Sequence, residues 1–172
     1  METGLIHIYY GDGKGKTSAS IGLGARCKGN GFKVLYCSFL KNTCSGEHKA
    51  MAGVDIQKCD FFDKFCFYMD EAETLVAREK TLKYYKNAIV TAVEKDYDML
   101  ILDEILDAVD VEYIAEADLE RFLKEKPQKL EVVLTGRKAS DNLKNIAHYI
   151  SEIKCVKHPY NDGVQARKGI EL

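Results

Sequence analysis

The sequence predicts an α/β protein with a mostly parallel, doubly wound sheet and helices on both faces. Three observations support this fold class. Short apolar runs alternate with helix-like segments along the chain, a pattern typical of βαβ units. Polar clusters follow several of the runs, as expected where parallel strands end at a ligand-binding edge. The length of 172 residues and the hydrophobic content of 46% fit a single domain over residues 1–172.

Strands are predicted where apolar, β-branched or aromatic residues form short runs. The predicted strands are residues 5–10, 32–40, 54–57, 98–102, 130–135 and 149–153. Helices are predicted where longer segments lie between breakers such as the glycines after Lys28 and Pro127. The predicted helices are residues 17–28, 70–94, 117–126 and 142–147.

The helix predicted at residues 70–94 is the longest, and it has a recognisable start. Asp70 and the glutamates after it suit a helix N-terminus, where negative charge is favourable. Helical spacing predicts one apolar stripe for packing against the sheet. Its members are Leu82, Tyr85, Ile89 and Val93.

Composition excludes several classes of protein. The net charge of −2 provides no basic field for nucleic acid, and no apolar run is long enough to span a membrane. The N-terminus lacks the pattern of a signal peptide. The six cysteines form no CxxC pair and indicate reduced thiols. We therefore expect a cytoplasmic protein that binds neither nucleic acid nor membrane.

The stretch GDGKGKTS follows the first predicted strand and precedes the first predicted helix. This context favours a phosphate-binding loop, because glycines let N–H groups approach an anion and a helix start attracts negative charge. The usual spacing requires glycine at position 10, where this chain has Tyr10, so the loop is one residue short. The expected nucleotide-binding residues are Gly11, Asp12, Gly13, Lys14, Gly15, Lys16, Thr17 and Ser18.

Two carboxylates follow the fourth predicted strand, in the stretch LILDE. Asp103 and Glu104 are expected at the carboxyl edge of the sheet, beside the loop. Together with the Thr17 hydroxyl they form a candidate ligand set for Mg²⁺, or Mn²⁺, bound with ATP. Arg137 follows the fifth predicted strand and is a further candidate for nucleotide binding. The combination predicts a P-loop NTPase-like fold.

Five stretches occur in order: GDGKGKTS, SFLKNTCSGE, LILDEI, VVLTGR and VKHPYNDGVQARKGIEL. Together they resemble the P-loop class of ATP:corrinoid adenosyltransferases over residues 5–172, and the shortened loop belongs to that family's pattern. The resemblance implies transfer of the 5′-deoxyadenosyl group of ATP to cobalt(I) of a reduced corrinoid, with release of triphosphate. The corrinoid classes are cobalamin, cobinamide and cobyrinic acid diamide. ATP is expected in a reversed orientation, with its triphosphate as leaving group.

The resemblance also implies roles and partners. Lys16, Thr17 and Glu104 are expected to be catalytic, because they neutralise the departing triphosphate directly or through the cation. A homodimer and a reducing flavoprotein are expected by analogy with the family. Four tail residues are expected at the nucleotide or at a partner subunit, with simple packing as the alternative: Lys157, His158, Asn161 and Arg167.

The corrinoid side of the site is implied by two further stretches. Lys41 belongs to a loop expected to reach the corrinoid. Phe65 and Phe67 match aromatic side chains that crowd the axial face of cobalt, and core packing is the alternative role for each. The chain departs from the family pattern at Phe67, often tryptophan, at Asn42, usually glycine, and at Leu106, often polar.

Two other functions stay open on the residues alone. A phosphotransferase such as a small nucleoside kinase would release ADP, and it requires an acceptor site near Glu104 or Arg137. A non-catalytic ATP or corrinoid sensor would bind ATP without turnover. The product formed from ATP distinguishes all three.

Overall fold

The computed structural model describes residues 2–40, 53–57, 59, 61 and 69–170. Its strands form a single six-stranded sheet in which every pairing is parallel. The strands are β1 (Ile6–Tyr10), β2 (Val34–Ser38), β3 (Asp55–Gln57), β4 (Met99–Asp103), β5 (Glu131–Gly136) and β6 (Tyr149–Glu152). The helices are α1 (Lys16–Gly29), α2 (Glu71–Glu94), α3 (Ile105–Asp110), α4 (Glu116–Glu125) and α5 (Asp141–Ile146). The predicted α/β fold class is confirmed.

The strand order β3-β2-β4-β5-β1-β6 decides which loops meet. From β1 the chain passes through α1 to β2, so β5 and β4 lie between these two consecutive strands. Tyr10 is in register with Gly136, and Ser38 is in register with Asp103. Because the strands are parallel, the residues after β1, β2, β4 and β5 all lie at one edge of the sheet.

The sheet carries an apolar core on each face, as the period of two along each strand requires. Ile101, Val133 and Tyr36 share one core with Cys27 of α1. The neighbouring residues on the same strands face the opposite core, which contains buried side chains of α2, α3, α4 and α5. Helices therefore lie on both faces, as predicted.

Helix α2 starts as the sequence predicts but packs through a different stripe. The Asp70 carboxylate accepts from the Glu73 N–H at 2.9 Å, and the Glu73 carboxylate accepts from the Asp70 N–H at 2.8 Å. The predicted stripe is wrong in part, since Val93 is 44% exposed. Small side chains share the buried face with two tyrosines, and the buried set is Ala77, Thr81, Tyr84, Tyr85, Ala88 and Ala92.

Two elements in the described part of the chain were not predicted from the sequence. Helix α3 follows β4 directly, and a short 3-10 helix spans Pro159–Asp162. Helix α3 packs tightly against the end of β5, because a Cβ on Gly136 would lie 2.5 Å from the Leu106 Cβ and 3.0 Å from the Asp107 nitrogen. Gly136 therefore lets the start of α3 lie against the end of β5.

A buried polar pair joins β1 and β5 at the opposite end of the sheet. His7 Nε2 lies 2.5 Å from Glu131 Oε1, and the Leu5 N–H donates to Glu131 Oε2 at 2.5 Å. The His7 ring stacks on Tyr149 of β6 with centroids 4.5 Å apart. Burial raises the pKa of Glu131, but the hydrogen bonds from His7 and Leu5 outweigh it and hold that pKa below its usual value.

Across the described ranges, no helix combines the length and apolar character that a membrane span requires.

Candidate active site

The loop after β1 is held against the chain that follows β6. The Gly13 N–H donates to the Ile153 carbonyl at 2.8 Å, and the Cys155 N–H donates to the Asp12 carboxylate at 2.9 Å. Residues 153–155, which we call the strap, thus lie directly on the loop. A Cβ on Gly11 would lie 2.4 Å from the Ile153 oxygen, and one on Gly13 would lie 2.7 Å from the Lys154 carbonyl carbon. Glycine is therefore required at both positions, because any side chain there would overlap the backbone of the strap.

The third glycine has a different surrounding. Gly15 has a φ of 119°, which disfavours any side chain, yet among the described residues no atom lies within 4 Å of an added Cβ. It is the N-cap of α1, whose first turn contains no acidic residue, and in the described chain no side chain caps this end by a hydrogen bond. The positive end of a helix of 14 residues therefore faces the open side of the loop, an arrangement suited to an anion.

Lys16 is the first residue of α1, and its side chain reaches back into the loop. Its ammonium donates to the Gly11 carbonyl at 2.7 Å and to the Gly13 carbonyl at 2.8 Å. Burial lowers the pKa of Lys16, and the nearby charge of Arg137 lowers it further, against the opposing effect of the Asp107 and Glu104 carboxylates. Lys16 is thus a partly desolvated cation at the loop, where it can reach a phosphate by leaving its carbonyl partners.

Asp103 is the centre of a buried hydroxyl network. It is 0% exposed, and three hydroxyls donate to its carboxylate. Thr17 Oγ1 lies 3.0 Å and 3.2 Å from the two carboxylate oxygens, the Tyr36 hydroxyl lies 2.8 Å from Oδ2, and Thr135 Oγ1 lies 2.7 Å from Oδ1. The structure thus brings together Thr17 and Asp103, which are 86 residues apart in sequence.

The Thr17 and Asp103 oxygens are of the type that a divalent cation would bind. Neighbouring oxygen ligands on an octahedron with bonds of about 2.1 Å to Mg²⁺ lie about 3.0 Å apart. The Thr17 hydroxyl and Asp103 Oδ1 are separated by that distance, which is also the length of the hydrogen bond that joins them, so the spacing permits a cation without requiring one. A hydroxyl and a carboxylate are also the hard oxygen donors that Mg²⁺ and Mn²⁺ prefer.

Glu104 turns the chain out of β4 with an unusual backbone conformation. Its φ is 62°, in the left-handed region, and it is the N-cap of α3. Its N–H donates to Thr135 Oγ1 at 2.8 Å, and its carbonyl accepts from the Ala108 N–H at 3.1 Å. Glu104 is partly buried, and its charge acts on Lys16. The acidic pair therefore lies at the loop, where the sequence predicts it.

Arg137 is exposed and follows β5 beside the loop. The Gly11 N–H donates to the Arg137 carbonyl at 3.1 Å, and the Arg137 N–H donates to Asp107 Oδ1 at 3.0 Å. Burial raises the pKa of Asp107, and the Arg137 N–H and the charges of Arg137 and Lys16 offset only part of that rise. Asp107 thus joins the site as an acid that sequence reasoning missed.

The other predicted residues differ in how the structure places them. Lys41, Phe65 and Phe67 lie outside the described residues. Lys14 is exposed and its ammonium donates to the Ile170 carbonyl at 3.3 Å, while Ser18 is an exposed residue of the first turn of α1. The four predicted tail residues lie on the surface, with His158 partly buried and the others exposed: Lys157, His158, Asn161 and Arg167.

Tyr36 and Thr135 were also missed from the sequence, although a signal for them exists. Thr135 lies two residues after Val133, and Asp103 lies two residues after Ile101, so all four side chains face α1. Tyr36 belongs to the same core. Alternation places each side chain on the correct face, but only the strand order places them next to each other.

Known proteins resemble this chain over nearly its whole length. The family model described as ATP:corrinoid adenosyltransferase BtuR/CobO/CobP matches residues 2–172. A corrinoid adenosyltransferase of Sinorhizobium sp is 34% identical over 99% of this chain and 81% of that protein. The corrinoid adenosyltransferase of Escherichia coli (strain K12) is 31% identical over 99% of this chain and 86% of that protein. CobA of Salmonella typhimurium (strain LT2), also a corrinoid adenosyltransferase by name, is 30% identical with the same coverage of both proteins.

Among solved structures, EssC (ATPases 2 and 3) from Geobacillus thermodenitrificans superposes with a TM-score of 0.50 at 15% identity. The match covers 98% of this chain and 36% of that chain, so it bears on the fold alone and agrees with the predicted P-loop NTPase-like fold. The family match and the relatives at 30–34% identity extend over nearly the whole chain. They show that this chain is an enzyme that belongs to the ATP:corrinoid adenosyltransferase family.

Proposed function

We propose that the enzyme transfers the 5′-deoxyadenosyl group of ATP to cobalt(I) of a reduced corrinoid and releases triphosphate. The cobalt electron pair forms the new cobalt–carbon bond. The bond between the 5′ carbon and the triphosphate oxygen breaks, and triphosphate leaves with that bonding pair. The observation that carries this proposal is the juxtaposition of the α1 N-terminus and Lys16 with the Thr17–Asp103 pair in a member of this family.

Displacement at a carbon requires orientation and neutralisation of the leaving group more than a general base. The open side of Gly15, the uncapped start of α1 and the Lys16 ammonium suit a triphosphate bound as that leaving group. In this proposal Lys16 exchanges its two carbonyl partners for phosphate oxygens. Lys14, Ser18 and Arg137 are proposed as further phosphate contacts.

Thr17 and Asp103, with Glu104, would hold Mg²⁺ or Mn²⁺ at the same edge of the sheet. The bound cation would supply positive charge to the departing triphosphate. The hard oxygen donors of Thr17 and Asp103, which the fold brings together beside the loop, support this assignment. Glu104 is proposed as the second acid, because its backbone is fixed one residue after Asp103.

The corrinoid is proposed to contact Lys41, Phe65 and Phe67, with the phenylalanines excluding the axial ligand of cobalt. Phe67→Ala should then slow the reaction from cobalt(II) more than the reaction from cobalt(I) supplied already reduced. Equal losses under the two conditions would contradict this role. Because cobalt must be reduced before transfer, we propose a reducing flavoprotein as electron donor.

We further propose that the protein acts as a homodimer in the cytoplasm, with residues 1–172 as one domain. Strand β6 supports a contact between subunits, because it is the outermost strand of the sheet, next to β1, and its Tyr149 and Ile150 side chains are 53% and 46% exposed. Sedimentation at several protein concentrations tests the dimer. Tyr149→Ser should shift the distribution towards the monomer if β6 forms the contact.

A product assay tests the proposed reaction. Protein, Mg·ATP and chemically reduced cob(I)alamin are mixed without oxygen, and the corrin spectrum and the phosphate products are followed. We expect a light-sensitive adenosylcorrinoid and triphosphate in equal amounts. ADP would instead indicate a phosphotransferase, and ATP binding without any corrinoid change would indicate a sensor.

Lys16→Ala provides the control for the site itself. We expect it to lose ATP binding and turnover together, because Lys16 is the cation inside the loop. Lys14→Ala removes a neighbouring lysine that is exposed and directed towards Ile170, so its loss should be smaller. Full activity in Lys16→Ala would show that the loop is wrongly assigned.

A further inference from the structure

Thr135 touches both members of the acidic pair. It lies near the end of β5, the strand between β1, which leads into the loop, and β4, which leads into the acids. The side chain is 1% exposed. Its hydroxyl donates to Asp103 Oδ1 at 2.7 Å and accepts from the Glu104 N–H at 2.8 Å. This buried hydroxyl thus donates one hydrogen bond and accepts another, and its two partners are consecutive acidic residues.

The Glu104 bond matters because of the backbone it supports. A left-handed φ of 62° is uncommon for a residue with a side chain, so the surrounding contacts must stabilise it. The Thr135 hydroxyl accepts from the N–H of Glu104, and the Ala108 N–H binds its carbonyl. The direction in which the Glu104 side chain leaves β4 therefore depends in part on Thr135.

We propose that Thr135 is a positioning residue that fixes Asp103 and Glu104 together for the divalent cation of the bound nucleotide. This inference rests on the proposed function, because the cation belongs to the proposed site. Loss of the hydroxyl removes one donor from Asp103 and the acceptor of the Glu104 N–H in a single step. Lys16 and the start of α1, which are proposed to bind the nucleotide, are left in place.

Tyr36 provides a matched control. Its hydroxyl donates to the other oxygen of the Asp103 carboxylate at 2.8 Å, and Tyr36 is 0% exposed. It reaches Asp103 from β2, on the opposite side of β4 from β5. Tyr36→Phe therefore removes one hydroxyl donor from Asp103, as Thr135→Val does, but leaves the bond between Thr135 and the Glu104 N–H intact.

The test measures ATP binding with and without Mn²⁺ by calorimetry, and Mn²⁺ binding by the electron paramagnetic resonance signal of free Mn²⁺. For Thr135→Val we expect a loss of Mn²⁺·ATP affinity of about 10- to 100-fold, the usual effect of removing a residue that orients a metal ligand. ATP affinity without metal should stay near that of the wild type. Thr135→Ser should restore Mn²⁺·ATP binding, and Tyr36→Phe should lose less of it than Thr135→Val.

Equal losses of Mn²⁺·ATP affinity in Thr135→Val and Tyr36→Phe would overturn the inference, and so would a loss in Thr135→Val that is the same without Mn²⁺. If Thr135→Val does not fold, Thr135→Ala is measured against the same predictions. A wild-type protein whose ATP affinity gains nothing from Mn²⁺ overturns both the inference and the proposed cation site. A wild-type protein that binds Mn²⁺·ATP tightly but forms no adenosylcorrinoid overturns the proposed function alone.

Discussion

The contact between the loop and the strap predicts different costs for two similar glycine substitutions. Gly11 and Gly15 have φ values of 120° and 119°, which L side chains rarely adopt, so alanine is conformationally strained at both positions. That strain is on the order of 1–3 kcal/mol in each variant. The surroundings differ, because an added Cβ lies 2.4 Å from the Ile153 oxygen at Gly11 and, within the described part of the chain, in open space at Gly15.

Overlap of an added methyl group with the strap destabilises the fold further, and it does so only at Gly11. The Ile153 oxygen belongs to the backbone of the strap and cannot rotate away as a side chain can. The N–H of Ile153 also donates to the Tyr10 carbonyl at 2.7 Å, and this bond holds the strap against β1. Forcing a methyl group into a packed contact of this kind costs about 1–3 kcal/mol. We therefore expect Gly11→Ala to lose about 2–6 kcal/mol of unfolding free energy, against about 1–3 kcal/mol for Gly15→Ala.

Urea unfolding of the two variants and the wild type measures this difference. The slopes with urea should agree, so that the midpoints report stability. In thermal unfolding, the Gly11→Ala midpoint should lie about 2–12 °C below that of Gly15→Ala, since 1 kcal/mol corresponds to about 2–4 °C for a domain of this size. A Gly15→Ala variant as unstable as Gly11→Ala would refute the argument, because it would show that the strap does not press on the loop.

Three further predictions concern charged side chains. Burial raises the pKa of Glu131, but the hydrogen bond with His7 holds it below its usual 4.5. Ionised Glu131 therefore stabilises the fold above pH 4.5, and this contribution is lost as the pH falls through the lowered pKa. As the pH is lowered from 5 to about 3, the unfolding free energy should fall less in Glu131→Gln than in the wild type, and parallel curves would contradict this. Asp70→Ala should lower the unfolding free energy by about 1 kcal/mol through loss of the α2 cap, whereas Asp70→Asn, which keeps the acceptor oxygen, should lose less. Asp107→Asn should keep or raise stability at pH 7, because burial raises the pKa of Asp107 and penalises its ionised form while the amide oxygen still accepts from the Arg137 N–H; a clear loss in urea unfolding would disprove this.

The elements of this protein follow closely from local sequence patterns. Within the described ranges, the period of two along strands and the breakers between segments predicted all six strands and four of the five helices within about two residues of their bounds. Helix α3 was not predicted, because it begins two residues after the end of β4 and no capping side chain or breaker marks its start. The α2 stripe was assigned wrongly because Ala77, Ala88 and Ala92 form much of its buried face, and alanine gives a weak hydrophobic signal.

The candidate site likewise combines residues that local sequence patterns predict with a residue that they do not. Lys16, Thr17, Asp103 and Glu104 were predictable, since a glycine loop between strand and helix and acids at a strand end are local patterns. Asp107 was missed because it lies on the unpredicted α3, and its approach to Arg137 depends on the packing of that helix against β5.

What the sequence by itself determined was therefore the fold class, the loop, the acidic pair and a family resemblance that the comparisons confirmed. The tertiary structure decided what surrounds them. Its strand order inserts β5 between β1 and β4 and so places Thr135 against Asp103, and it lays the strap over Gly11. The physical reason is that periodicity encodes the face on which a side chain lies, whereas pairing between strands far apart in sequence depends on the packing of the whole chain.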